Sequence, residues 1–175
     1  MGKIKKFSLV KFFIGIIYTR EIFFLDVLQN LSDSFGIIDF ISLPIKFDHT
    51  NYYEQEMGKG LTKRFISFYE LRDVEKTPQS KIITNDIEEK YSQDSKRQIN
   101  LDPGILSLPN IILFSTKNFT HRIPLNNNIY GEVTLLVHKK KFSDLPWTYP
   151  DFKSGAYKNV FYSIRDIYKN QLVDF

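Results

Sequence analysis

The chain has 175 residues, of which 42% are hydrophobic and 15% aromatic, including 16 Phe and 10 Tyr, so it has apolar surface for one core and global disorder is excluded. Lys and Arg total 24 against 20 Asp and Glu, for a pI near 9.1, but the excess is shared between two basic runs, Lys3 to Lys6 and Lys139 to Lys141, which read as solvated ends rather than a nucleic-acid face. With no Cys, disulfides, thiolate nucleophiles, zinc-thiolate sites and iron-sulfur clusters are excluded, and a cytoplasmic location is the expectation.

Lys3, Lys5 and Lys6 before Phe7 to Tyr18 superficially look like a signal peptide, yet Lys11 interrupts the apolar run and no small-residue cleavage site follows. Phe12 to Tyr18 is too short to cross a bilayer as a helix, so no membrane association is expected. Lys11 to Tyr18 reads as a central strand with both faces covered, and residues 1–10 as a flexible basic leader to a single domain over 1–175. Thr19 is placed to cap a helix whose stripe is Phe24, Leu28, Leu31 and Phe35, stopped by Gly36. Strands follow at Ile37 to Leu43 and Lys63 to Leu71, with a long polar loop between them.

Thr77-Pro78 predicts a helix start, with Ile83, Ile87 and Tyr91 as its apolar stripe and Ser92 to Arg97 leaving it for solvent. Arg97 to Leu101 reads as a short strand ended by a turn at Asp102-Pro103-Gly104. Asn110 to Thr116 fits either a buried strand or a short helix. His121 to Leu125 and Ile129 to His138 flank Asn126 to Asn128 as a hairpin. Ser154 caps a last helix with Tyr157, Phe161, Ile164, Tyr168 and Leu172 on one face.

Three clusters combine polar and aromatic residues more densely than a core element needs. FDHTNYYEQEMG (47–58) holds Asp48, His49, Tyr52, Tyr53, Glu54 and Glu56 in a loop; Asp48 with Thr50 or Asn51 also suits a plain turn. NLDPG (100–104), His121-Arg122 and Glu132 bring together carboxylates, an imidazole that titrates near neutrality and a guanidinium that binds anions, the parts of an acid-base pair with an anion anchor. An Arg and a Glu facing each other across a hairpin also make an ordinary ion pair. LPWTYPDF (145–152), with the one Trp, is too rich in Pro for a helix and either seals the core or walls a pocket. Gly58-Lys59-Gly60 lacks the Walker spacing, no dinucleotide fingerprint follows the first strand, and the three His form no zinc-helix pair.

Together FFIGIIY, FDHTNYYEQEMG, RFISFYEL, NLDPG, THRIPL, IYGEVTLL and LPWTYPDF resemble a bacterial family of unassigned function, the domain of unknown function numbered 4416, over nearly the whole chain. The resemblance implies no agreed activity, although some members carry a GTP-binding label. It matches at Asp48, Tyr52, Tyr53, Glu54, Asp102, His121, Arg122, Glu132, Trp147, Tyr149 and Asp151 and departs at His49, which argues against His49 as a required ligand.

The expected fold is α+β, a two-layer sandwich of a mixed or largely antiparallel sheet with helices mainly on one face. The leading functional expectation is a pocket for an anionic small molecule, a nucleotide or other phosphate ester, with hydrolase or transferase chemistry as an extension. Asp102, His121 and Glu132 are its candidate catalytic residues, and Asp48, Tyr52, Tyr53, Glu54, Arg122, Trp147, Tyr149 and Asp151 its candidate ligand contacts. No cofactor or metal site is assigned. The alternatives are a non-catalytic protein-interaction module and, through the basic excess, an RNA-binding protein. Pocket binding requires His121, Arg122, Asp102 and Trp147 to meet on one concavity, whereas an interaction module predicts a flat apolar patch, and separate environments for His121 and Arg122 would end the pocket built on these residues.

Overall fold

The structure, a computed structural model, describes residues 2–3, 5–50, 52–94 and 96–173. In chain order it runs β1 (Lys11–Tyr18), α1 (Glu21–Phe35), β2 (Ile38–Ile41), β3 (Ile45–Lys46), α2 (Glu54–Met57), β4 (Thr62–Phe68) and, after a 3-10 turn at Val74–Lys76, α3 (Ser80–Lys90). It continues through β5 (Ser92–Gln93), β6 (Lys96–Arg97), β7 (Ile99–Leu106), β8 (Asn110–Ser115), β9 (Ile123–Pro124), β10 (Tyr130–His138), β11 (Lys141–Asp144) and α4 (Gly155–Val173). One nine-stranded sheet has the order β11-β10-β8-β7-β1-β4-β2, with β3 on β4 and β9 on β10, and β5 and β6 pair separately. Every ladder is antiparallel, so the fold is α+β. No helix among the described residues is long and apolar enough to cross a membrane.

All eight residues of β1 are buried because both of its faces are covered. Phe12, Ile14, Ile16 and Tyr18 pack with Phe24, Val27 and Leu31 of α1 and Ile87 of α3. On the opposite face Phe13 and Phe65 meet α4, where Phe161 sets its ring 5.0 Å from each. Thus α1 and α3 share one face and α4 adds a layer on the other, one more than a two-layer sandwich has. Lys11, fully buried in β1, is tolerated because its ammonium pairs with Asp39 and donates to Gln171 Oε1 of α4 at 2.8 Å. Ser154 accepts from Tyr157 N at 3.3 Å and caps α4 as the spacing predicts.

Several local expectations are corrected. Arg20, not Thr19, stands at the N-cap of α1, and the Thr19 hydroxyl is turned to Gln98. Thr77 closes the 3-10 turn through Val74 O at 2.7 Å, so α3 begins two residues past Pro78. Ser92 to Arg97 does not leave for solvent; β5 and β6 fold it back as a hairpin. His121 and Arg122 lie in the turn ahead of β9, closed by Arg122 N on Phe119 O at 3.0 Å, rather than on a strand.

The largest correction concerns Asp102-Pro103-Gly104, which makes no turn: β7 runs straight through it, with Ile14 of β1 opposite Pro103. Pro is tolerated because β8 pairs with β7 only from Gly104 to Leu106, so the ladder on that side has ended before Pro103. Gly104 is required by crowding: an added Cβ would lie 2.7 Å from both Ile112 O and the Phe13 ring and 2.9 Å from Leu113 Cδ2. Gly104→Ala should therefore destabilise the chain by about 2 kcal/mol, lowering its melting temperature by roughly 4–8 °C in a thermal scan; an unchanged melting point would contradict this account.

Candidate functional site

Where β8 parts from β7 beyond Gly104, the sheet opens into a cavity of about 720 Å³, within the usual range for small-molecule sites. Ile17 of β1, Lys63 of β4, Asn100 and Asp102 of β7, and Leu113 to Ser115 of β8 form its sheet wall. The loop ahead of α2 brings Tyr52 and Tyr53, and the 145–152 segment brings Tyr149 to Phe152. That segment is anchored where β10 extends beyond β11: Trp147 Nε1 donates to Val133 O at 2.8 Å and the Thr148 hydroxyl to Thr134 O at 2.6 Å.

Lys63 is 2% exposed. Its ammonium lies 3.3 Å from Asp151 and 3.6 Å from Asp102, with the rings of Phe47, Phe65, Phe152 and Tyr157 all within 5.5 Å. Asn100 donates to Asp102 Oδ1 at 3.0 Å and accepts from Arg97 Nη1 at 2.9 Å. Arg97 also grips Glu56 of α2 in a fork at 2.6 and 2.7 Å and reaches Glu88 of α3 at 2.8 Å. Glu88 in turn accepts from Leu101 N at 2.7 Å and lies 3.5 Å from Lys81.

On the opposite wall every Arg122 donor group is engaged. Nε donates to Glu132 at 2.9 Å, Nη1 to Ser115 Oγ and Lys117 O at 3.0 and 2.8 Å, and Nη2 to the Tyr149 hydroxyl at 2.6 Å. Burial, with the Glu132 charge beside it, pushes the Tyr149 hydroxyl up from its ordinary pKa, so it stays protonated at neutral pH. Burial raises Tyr53 in the same way.

The sequence candidates divide. Tyr52, Tyr53, Asp102, Arg122, Glu132, Tyr149 and Asp151 meet in the cavity. His121 and Trp147 do not. They stack at 5.3 Å and 11° and line a separate shallow depression with Phe119, Thr120 and Pro146. His121 reaches the same Glu132 oxygen as Arg122, at 3.0 Å, but from the outer side. The expected pocket, in which all four residues touch one ligand, is not formed; His121 is withdrawn as a catalytic residue and Trp147 as a ligand contact, and the cavity that is present is built without them.

Asp48 is also outside the lining; it is exposed and bonded to Lys46 at 2.9 Å, a bond that holds its carboxyl below the usual range. Glu54 opens α2 without lining the cavity. The turn bond in this loop is made by Thr50, whose hydroxyl accepts from Tyr52 N at 3.1 Å, and Asn51 lies outside the described residues. Lys63, Lys81, Glu88, Arg97 and Lys117 line the cavity without having been candidates. A signal existed for Lys63, which shares a strand face with Phe65 by period-2 spacing. No group of three or more metal-ligating side chains is placed to hold an ion among the described residues.

Residues 47–50 and 52–58 form a flap over this cavity. Phe47, Met57 and Leu61 pack on Ile17 as a small core of their own, Gly58 takes φ 86°, and the fastenings beyond are Glu56 on Arg97 and Tyr52 on Lys117 at 2.6 Å. The Arg97 hydrogen bonds hold Glu56 below the usual carboxylate range. A depressed carboxylate contributes stability above its unfolded pKa of about 4.3 and loses it as pH falls through the folded value. The protection factors of amides 52–58, measured against the intrinsic exchange rate at each pH, should therefore be high at neutral pH and fall below about pH 4, and Glu56→Gln should show the lower protection already at neutral pH. Equal protection in parent and variant would show that the ion pair does not fasten the flap.

No curated protein and no solved structure matches this chain. One family model does, over residues 8–168, and it spans the sheet, the flap and every cavity residue named above. The chain therefore belongs to the family described as Domain of unknown function (DUF4416).

Proposed function

We propose that the cavity binds an anionic small molecule of sugar-phosphate or nucleotide size. The observation that supports this reading is the charge at the rim. Lys63, Lys81, Arg97, Lys117 and Arg122 line the cavity against Glu88, Asp102, Glu132 and Asp151. Lys117 alone among these cations has no carboxylate within ion-pair distance among the described residues; its ammonium rests on the Tyr52 hydroxyl and ring. An anionic group seated there gains an unneutralised cation and stays near the Arg122 guanidinium, whose Nη1 already holds the Lys117 carbonyl. Any chemistry on that ligand, hydrolysis or group transfer, has Asp102 as its base: its side chain is 28% exposed, against 10% for Asp151, 6% for Glu88 and 2% for Glu132.

A thermal-shift screen with sugar phosphates and nucleotides tests the binding. A ligand at a hundred times its Kd should raise the melting temperature by roughly 5–10 °C, and Lys117→Ala should weaken its binding about tenfold, with the shift read against the melting point of the free variant. No shift with any phosphate ester overturns the reading. For a compound that is turned over, Asp102→Asn should lower kcat by about a hundredfold or more while binding is kept; unchanged turnover removes Asp102 as the base.

A further inference from the structure

Glu132 is 1% exposed and stands in the cavity wall on β10. Its Oε2 is taken by Arg122 Nε and His121 Nε2. Its Oε1 is buried and has no hydrogen-bond partner among the described residues. A buried carboxylate oxygen without a donor is unfavourable and calls for a donor from outside the protein. The carboxylate cannot turn to relieve it without giving up the two contacts at Oε2.

The inner wall is also one cation short. Asp102 and Asp151 share the single ammonium of Lys63, and Glu132 is balanced by Arg122, so three carboxylates face two cations. Arg97 and Lys81 are matched by Glu56 and Glu88 and do not change this. The rim at Lys117 has the opposite imbalance. Resting on the anionic-ligand reading, we infer that the ligand is amphoteric: besides its anionic group it carries an amino nitrogen, which donates to Glu132 Oε1. A hydroxyl would satisfy the oxygen, but only an ammonium also supplies the missing charge.

Isothermal titration of the full chain with glucosamine 6-phosphate and glucose 6-phosphate, which differ only at that nitrogen, tests the inference. The amino compound should bind the parent at least about tenfold more tightly. In Glu132→Gln, whose amide keeps an acceptor for Arg122, the preference should fall to about twofold or less. Equal affinity of the parent for the two compounds overturns the inference and leaves the anionic reading standing, whereas failure of both to bind overturns both. A preference that survives in a folded Glu132→Gln, checked by circular dichroism, removes Glu132 as the group that reads the nitrogen. The comparison on the parent decides the ligand class even where the variant does not fold.

Discussion

The parting of β7 from β8 at Pro103-Gly104 is the constraint on which the rest of the structure depends. At Gly104 the approach is so close that even a Cβ would collide with Ile112 O and the Phe13 ring; one residue earlier, Pro103 has no N–H to offer a neighbour. The ladder therefore opens at a fixed point, and the residues just beyond it, Asn100 and Asp102, project into space that a continuous sheet would have filled. A glycine and a proline that look like punctuation in the sequence act here as the device that makes a cavity inside a regular strand.

The cavity then faces the usual cost of gathering buried charge. The fold meets it by assigning charges to different layers: Lys63 comes from the sheet, Glu88 and Lys81 from α3, Glu56 from the flap, and Asp151 from the Pro-rich segment. Arg97 and Arg122 are the cross-members. Arg97 spans three partners and Arg122 four, drawn from several elements, so the two guanidinium groups set the geometry of opposite walls.

Much of the frame was legible in the sequence, since it rests on local periodicity. The apolar run from Lys11 to Tyr18 is β1 to the residue, Ser154 opens α4, and the Asn run makes a hairpin with Asn127 and Asn128 in left-handed backbone. What was hidden depends on long-range register. Whether Asp102-Pro103-Gly104 turns or continues is decided by the absence of β8 opposite Pro103, and nothing local encodes that. Arg97 looked like part of a solvent exit because only the β5-β6 hairpin returns it to Glu88 and Asn100. Adjacent residues also had to be separated: His121 and Arg122 approach one carboxylate from its two sides, so neighbours in sequence face different surfaces.

That division of sides has a practical consequence. The chain has one tryptophan, and its indole lies flat on the imidazole whose far edge meets Glu132, the carboxylate bordering the cavity. Indole emission from this protein is thus a single-residue signal, placed one imidazole away from the cavity wall yet outside the cavity itself. The molecule holds its own optical reporter of events in its interior, and no dye or added label is needed to read it.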